Sequence, residues 1–280
     1  MANSQTVFAV LRTAQDRLAA ANQETAAAQF LLMMGQHWSF TQLVQHYRDT
    51  WPAPQVQAYL SQVDRVCQGE PAQYVLGRAP FYGRDFEVTP ATLIPREETE
   101  ELVEWVLSSL PPTEQRVIDV GTGSGAIGVT LQVERPAWTV VATDISAEAV
   151  AVAQRNAQQL APAVQFTVGD LLAPVAGQRF DAIVSNPPYI DRTEMPVMDA
   201  SVRRYEPVGA LYAADHGLAF YRRFAGLLAD YLQPNGQFFA EIGYHQGPAV
   251  QQLFAAALPQ ATVTVKQDMS GHDRMVRVQL

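Results

Sequence analysis

The sequence predicts an α/β protein. A mostly parallel sheet with helices on both faces ends in an antiparallel hairpin and follows a small helical bundle. Three observations predict it. From residue 116, short apolar runs alternate with helix-length segments. The first 75 residues carry helical stripes and only two glycines, Gly35 and Gly69. Two clean apolar–polar alternations, TVTVKQD and MVRVQL, close the chain.

Residues 1–75 are expected to form four or five short helices. Val7, Val10, Leu11, Ala14 and Leu18 recur at helical spacing. So do Phe30, Leu31 and Met34, then Leu43, Val44 and Tyr47, then Val56, Tyr59, Leu60 and Val63. Trp51-Pro52-Ala53-Pro54 breaks the run. Met33, Met34 and Trp38 are core residues by type, with a docking surface as the alternative. Residues 76–95 read as a β-hairpin linker, with Phe81, Tyr82, Phe86 and Val88 around Gly83. A helix then opens at Pro95-Arg96-Glu97 and ends near Leu110, its first turn acidic and matched to the helix dipole. RVIDVG, TVVATDI, VQFTVGD, FDAIVSNPP and GQFFAEIG are the strands of the domain spanning 96–280. AIGVTLQVERP, AEAVAVAQRNAQQL and GLAFYRRFAGLLADYL are helices between them.

Composition excludes several classes. The 280 residues are 48% hydrophobic and 17% charged, so a core is easily built and global disorder is excluded. The formal charge of -9 argues against binding nucleic acid by phosphate neutralisation, and the first 75 residues carry no basic stripe. A lone Cys67 excludes an internal disulfide framework and a cysteine zinc site. His37, His46, His216, His245 and His272 show no ligand spacing, so no metal is expected. No signal peptide or membrane span is read, which predicts a cytoplasmic protein.

Two segments carry chemistry. Gly121-Thr122-Gly123-Ser124-Gly125 joins the first strand of the sheet to its helix. Glycines permit a tight turn and close backbone approach to a ligand, and the helix start behind them offers free N–H groups. Gly123, Gly125 and Gly128 also satisfy the dinucleotide fingerprint, a weak match alone. Asp144 ends the second strand, where a carboxylate accepts both ribose hydroxyls of an adenosine, whether of NAD or of S-adenosylmethionine. Capping the next helix is its alternative role, with Ser146 as rival. Asp170 ends the third strand, suited to an adenine amino group with Leu171 over the ring, or to a plain turn.

Ser185-Asn186-Pro187-Pro188-Tyr189-Ile190 follows the fourth strand. Two prolines remove N–H donors and stiffen the backbone, so that carbonyls face outward. Asn186 adds a side-chain oxygen acceptor and Tyr189 an aromatic face. Such a cradle suits a planar, neutral amino group on a conjugated system. Two acceptors take its hydrogens and tip its lone pair toward an electrophile.

The glycine turn followed by Asn-Pro-Pro-Tyr resembles class I S-adenosylmethionine-dependent methyltransferases that act on amides or exocyclic amines. More of the chain is similar to the release-factor glutamine methyltransferases, the HemK family. Glu70-Pro71, Gln73-Tyr74, Gly77, Phe81, Gly83, Phe86 and Leu93-Ile94-Pro95-Arg96 fit its pattern. So do Glu98-Thr99-Glu100, Tyr205-Glu206-Pro207, Ala210-Leu211, Glu241-Ile242-Gly243, Asp268, Gly271 and Arg274. The resemblance covers about residues 65–280 and implies a Rossmann-like class I methyltransferase fold. It implies methyl transfer from S-adenosylmethionine, leaving S-adenosylhomocysteine, to the glutamine amide of the Gly-Gly-Gln motif in release factors. Asn186, Pro187, Pro188 and Tyr189 would act on the substrate; Gly121 to Gly125, Asp144, Asp170, Leu171 and Asn186 would hold the cofactor. The bundle would recognise the protein substrate. Methylation of adenine or guanine in nucleic acid is the alternative, and a dehydrogenase would leave Asn-Pro-Pro-Tyr without a role. The chain departs from the pattern at Glu97, where the family has proline, and at Leu171, where an aromatic often covers adenine. Glutamate also suits a first helical turn, so the helix start is expected to survive.

Overall fold

The computed structural model describes residues 5–160 and 163–280. They form two compact units, Met1–Arg78 with Asp199–Tyr205, and Ala79–Met198 with Glu206–Leu280. The N-terminal stretch read for a leader begins with residues 1–4, outside the described ones.

The first unit contains β1 (Gln5–Thr6), α1 (Val7–Ala20), α2 (Ala26–Gln36), α3 (Phe40–His46), β2 (Thr50–Trp51), α4 (Ala53–Cys67) and α5 (Ala72–Leu76). Thr6 caps α1 by accepting the Ala9 N–H at 3.2 Å. Ser39 and Gln42 cap α3 reciprocally. Val7, Val10, Leu11, Ala14 and Leu18 of α1 are buried as their spacing predicts. In α2 the buried residues are Ala28, Leu31 and Leu32, while Phe30 and Met34 are half-buried. That helix is apolar on most sides, so its periodicity cannot choose a face. Met33 and Trp38 pack against the core of this unit. The β1–β2 pair escaped the sequence reading because two residues per strand show no period.

β3 (Arg78–Phe81), which enters the second unit at Ala79, pairs with β4 (Arg84–Glu87). Tyr82 and Gly83 both have positive φ, 49° and 71°, the signature of a tight type I′ turn. α6 (Glu97–Ser109) starts at Glu97 itself, so the departure from proline leaves the helix start intact. There follow β5 (Arg116–Val120), α7 (Ala126–Glu134), β6 (Thr139–Asp144), α8 (Ala147–Leu160), β7 (Gln165–Val168) and β8 (Phe180–Ser185). A 3-10 turn over Arg192–Val197 leads to α9 (Ala200–Tyr205), which belongs to the first unit. There Arg204 and Tyr205 donate to the Gln68 carbonyl. The chain ends with α10 (Val208–Leu211), α11 (Ala219–Ala225), α12 (Leu228–Tyr231), β9 (Leu232–Glu241), α13 (Gly247–Ala257), β10 (Thr262–Gln267) and β11 (Asp273–Gln279).

The segment expected to be one helix, 217–232, is two. At Leu227 the backbone bond tightens to the carbonyl of Phe224, three residues back, and Gly226 before it has low helix propensity.

The seven-stranded sheet has the order β10-β11-β9-β8-β5-β6-β7. β9, β8, β5, β6 and β7 are parallel, while β10 and β11 form the expected antiparallel hairpin. Alternate residues serve opposite faces. Ile118 and Phe238 pack with Tyr221, Phe224 and Phe254 on one side. Val117 and Phe239 pack with Leu102, Val106 and Val129 on the other. Burial on both faces explains why these strands read as continuous apolar runs. The architecture is the Rossmann-like, mostly parallel sheet with helices on both faces that the sequence predicts.

Candidate active site

The chain runs from β5 outward through β6 and β7, then crosses back to β8 on the other side of β5. In such sheets the carboxyl ends of the strands at this reversal leave a crevice, because their connections leave in opposite directions. A cavity of about 410 Å³ lies there. Every strand of the reversal contributes to its wall: Gly121 to Ser124 after β5, Asp144 to Ser146 after β6, Gly169 to Leu171 after β7, and Asn186 and Pro188 after β8.

The glycine turn is built by backbone strain that only glycine accepts cheaply. Gly121, Gly123 and Gly125 have φ of 74°, 55° and 84°. A Cβ at Gly121 or Gly123 would meet no protein atom within 4 Å, so the space beside them is available to a ligand. Gly125 and Gly128 are packing glycines instead. A Cβ would lie 3.1 Å from the Ala153 side chain at Gly125, and 3.0 Å from the Asp119 carboxylate at Gly128. The Thr143 carbonyl accepts the N–H groups of Gly121 and Thr122 at 2.8 and 3.0 Å, which ties the turn to β6.

Asp119 lies fully buried under this turn. Its Oδ2 accepts from the Thr122 hydroxyl at 2.6 Å and the Gly128 N–H at 2.9 Å. Burial raises its pKa to about 6 against the pull of those two hydrogen bonds, with the nearby Asp144 adding a little. Asn156 of α8, also fully buried, donates to the carbonyls of Ser124 and Glu87 and accepts from the Glu87 N–H. It thereby clamps the turn to β4.

Asp144 lines the cavity. Its two oxygens accept from the N–H groups of Gly123 and Ser146, both at 2.9 Å. The cap of α8 is Ser146, whose hydroxyl accepts from the Ala149 N–H at 3.1 Å. Ile145 between them is 74% exposed at the cavity wall. Asp170 is paired with Arg223 of α11 at 2.5 Å. Leu171 adopts φ 48°, an uncommon value for a branched side chain, and is buried at the cavity wall. Phe220 and Arg223 complete that end. Arg96, also at the wall, is held at 2.5 Å by the buried Glu206.

At the β8 end the Asn186 Nδ2 donates to the Thr99 hydroxyl oxygen at 3.1 Å. Thr99 donates to Glu241 Oε2 at 2.6 Å, and the Tyr189 hydroxyl donates to Glu241 Oε1 at 2.9 Å. Burial pushes both the Glu241 carboxyl and the Tyr189 hydroxyl above their ordinary ranges. Asn186 and Pro188 face the cavity; Pro187 is buried outside its wall, and the Tyr189 ring packs against the core.

The fold thus gathers Gly121, Thr122, Gly123, Ser124, Asp144, Asp170, Leu171, Asn186 and Pro188 around one cavity. Gly125, Pro187 and Tyr189 stand behind it. Sequence reasoning overlooked Thr99, Asn156 and Glu241 as contributors. Glu241 had a signal, an acid inside the apolar strand GQFFAEIG. Thr99 had none in local pattern, since it stands among five glutamates, and only the family resemblance at Glu98-Thr99-Glu100 included it.

Comparison with known proteins agrees with this architecture. The family "Methyltransferase small domain" matches residues 98–210, and "PrmC N-terminal domain" matches residues 9–77. The release factor glutamine methyltransferase of Enterococcus faecalis (strain ATCC 700802 / V583) is 43% identical over 268 residues, 96% of this chain and 97% of that relative. The protein of the same name from Bacillus subtilis (strain 168) is 39% identical over 279 residues, 97% of both. Among solved structures, a methyltransferase from Pyrococcus furiosus matches at a TM-score of 0.55 and 16% identity, covering 78% of this chain and 98% of that one. A T. thermophilus 16S rRNA methyltransferase in complex with AdoMet and guanosine matches at 0.53 and 20%, covering 72% and 49%. The two structural likenesses show the fold. Identity of 39–43% along nearly the whole chain shows more, and places this protein in the family of release factor glutamine methyltransferases.

Proposed function

We propose that the cavity at the strand reversal holds S-adenosylmethionine and that Asn186 orients the glutamine amide of a release factor beside it. The observation that carries this reading is the Asn186 side chain, which reaches the cavity wall with its Nδ2 already committed to Thr99. That leaves the carboxamide oxygen as its free acceptor.

The residues present fit such a cofactor. Open space beside Gly121 and Gly123 admits it against the backbone. Asp144 accepts the ribose hydroxyls, and Asp170 and Leu171 meet the adenine. The wall carries three acids, Asp144, Glu148 and Asp170, against two arginines, Arg96 and Arg223, an acidic balance that suits a cationic ligand. When bound, S-adenosylmethionine supplies a methyl group made electrophilic by a sulfonium.

The remaining work falls to the chain. An amide nitrogen is a poor nucleophile, because its lone pair is delocalised into the carbonyl. Asn186 accepts one N–H of the substrate amide, and a backbone carbonyl of the same Asn-Pro-Pro segment accepts the other. Fixing both N–H directions aims the lone pair, a contribution of positioning and preorganisation. No strong base is required, since the amide nitrogen loses its proton readily once alkylated. Pro188 stiffens the segment, and Tyr189 anchors it through Glu241.

The substrate is the glutamine of the Gly-Gly-Gln motif in release factors, and the first unit recognises the protein around it. Translation factors are cytoplasmic, and the same location follows for this enzyme. Among the described residues, no helix is long and apolar enough to cross a membrane. The -9 charge supports a protein substrate over nucleic acid. Labelled-methyl transfer to release factors, with DNA and rRNA as controls, tests the reading. Label on the release-factor glutamine and none on nucleic acid is the expected result. Label on adenine or guanine alone would replace the substrate.

A further inference from the structure

We propose that Glu241, acting through Thr99, is a positioning residue that sets which end of the Asn186 carboxamide faces the methyl acceptor. This rests on Asn186 acting as the acceptor proposed above.

A primary carboxamide is nearly symmetric in shape, so packing alone does not distinguish its oxygen from its nitrogen. Chemistry does. Presented with its oxygen, Asn186 accepts a substrate N–H. Presented with its nitrogen, it faces the substrate amide donor to donor. The orientation is decided behind the side chain, by proton counting along a chain of hydrogen bonds.

An ionised carboxylate only accepts. Glu241 is 2% exposed and Thr99 4%, and the two side chains are in direct contact. The single Thr99 hydroxyl proton goes to Glu241 Oε2 at 2.6 Å. The Thr99 oxygen is left with lone pairs alone, and its neighbour at 3.1 Å must donate. Only Nδ2 of Asn186 does so, which turns Oδ1 toward the cavity. The second oxygen of Glu241 accepts the Tyr189 hydroxyl proton at 2.9 Å, so neither oxygen lacks a donor. Burial raises the Glu241 carboxyl, while the hydrogen bonds from Thr99 and Tyr189 and the charge of Arg274 favour its ionised form. Tyr221 donates to the Glu241 backbone carbonyl at 2.7 Å, which holds the end of β9 in place.

A glutamine at position 241 keeps the shape and removes the direction. With its nitrogen toward Thr99, the Thr99 oxygen accepts from Gln, and the Thr99 proton turns to Asn186. Asn186 then presents its oxygen inward and its nitrogen to the substrate. With its nitrogen toward Tyr189 instead, the buried tyrosine proton loses its acceptor. Neither arrangement reproduces the parent.

The test measures turnover, the KM for release factor and S-adenosylhomocysteine affinity in full-length protein. Glu241→Gln is expected to lower kcat at least tenfold, with cofactor-product affinity unchanged. Thr99→Val should do the same, and Thr99→Ser, which keeps the hydroxyl, should restore most of that loss. The decisive variant combines Glu241→Gln with Asn186→Ala. If Glu241 acts through Asn186, the double variant is no slower than Asn186→Ala alone. Parental kcat in Glu241→Gln, or an equal fold-loss from it in both backgrounds, overturns the relay while leaving Asn186 as the acceptor. Parental kcat in Asn186→Ala overturns both.

Discussion

Asn186→Ala removes an acceptor that matters most when the amide nitrogen develops its new bond. Turnover is expected to fall about a hundredfold, the scale of losing one preorganised polar group. The KM for release factor should change less, which steady-state kinetics separates. Asn186→Asp keeps an acceptor yet sets two carboxylates around the one Thr99 proton. It should also be slow, for want of the donor that Thr99 requires. Gly123 is a different kind of residue, defined by a φ of 55° and open space beside it. An alanine there costs about 1–2 kcal/mol in backbone conformation and extends a methyl group into the cavity. Calorimetric titration of Gly123→Ala should show S-adenosylhomocysteine binding weakened at least tenfold. Parental affinity would remove this turn from the cofactor site.

The β5–turn–α7 element carries its own pH signature. Asp119 has a folded-state pKa of about 6, against roughly 3.9 for an unfolded aspartate. Between those values the folded chain holds more protons than the unfolded one. Stability from this group is therefore present at about pH 4 and is lost as pH rises through about 6, by roughly 3 kcal/mol in all. Asp119→Asn keeps an oxygen for Thr122 and Gly128 and removes the titration. Urea midpoints of this variant against the parent should differ in slope across pH 4–6, the variant gaining on the parent as pH rises. Identical slopes would mean that Asp119 titrates normally. The same element shows why Gly128 was ambiguous in sequence. It satisfies a nucleotide fingerprint, yet its place in the structure is against the Asp119 carboxylate, a packing role.

At the scale of the whole molecule, the two units have separate hydrophobic cores, which makes the division of labour testable without cutting the chain. A fragment beginning near residue 79 would strand Asp199–Tyr205, which pack with the first unit. A core substitution avoids this. Leu31 is fully buried in the first unit, and Leu31→Ala should cost about 2–5 kcal/mol there. S-adenosylhomocysteine affinity should hold while methylation of intact release factor slows. Equal methylation rates at limiting substrate, at a temperature where the first unit has melted, would give the bundle another role.

The amino-acid sequence by itself determined the α/β class, the helical bundle and the terminal hairpin, and marked two segments as candidates for chemistry, because each is written in local pattern. Strand runs buried on both faces, positive-φ glycines between strand and helix, and paired prolines after an asparagine all declare themselves within a few residues. Tertiary structure alone decided what lies behind those segments. Thr99 and Asn186 are 87 positions apart, and Glu241 lies 142 from Thr99. Asn156 reaches Glu87 across 69. Such pairings are invisible to periodicity, since a hydroxyl among glutamates or an asparagine in an alanine-rich helix looks like a solvated surface until strands bring its partner beside it. The buried face of α2 and the membership of Asp199–Tyr205 in the first unit were likewise settled by packing. Local propensity there was nearly neutral between outcomes, and the deciding free energy came from burial against residues remote in the chain.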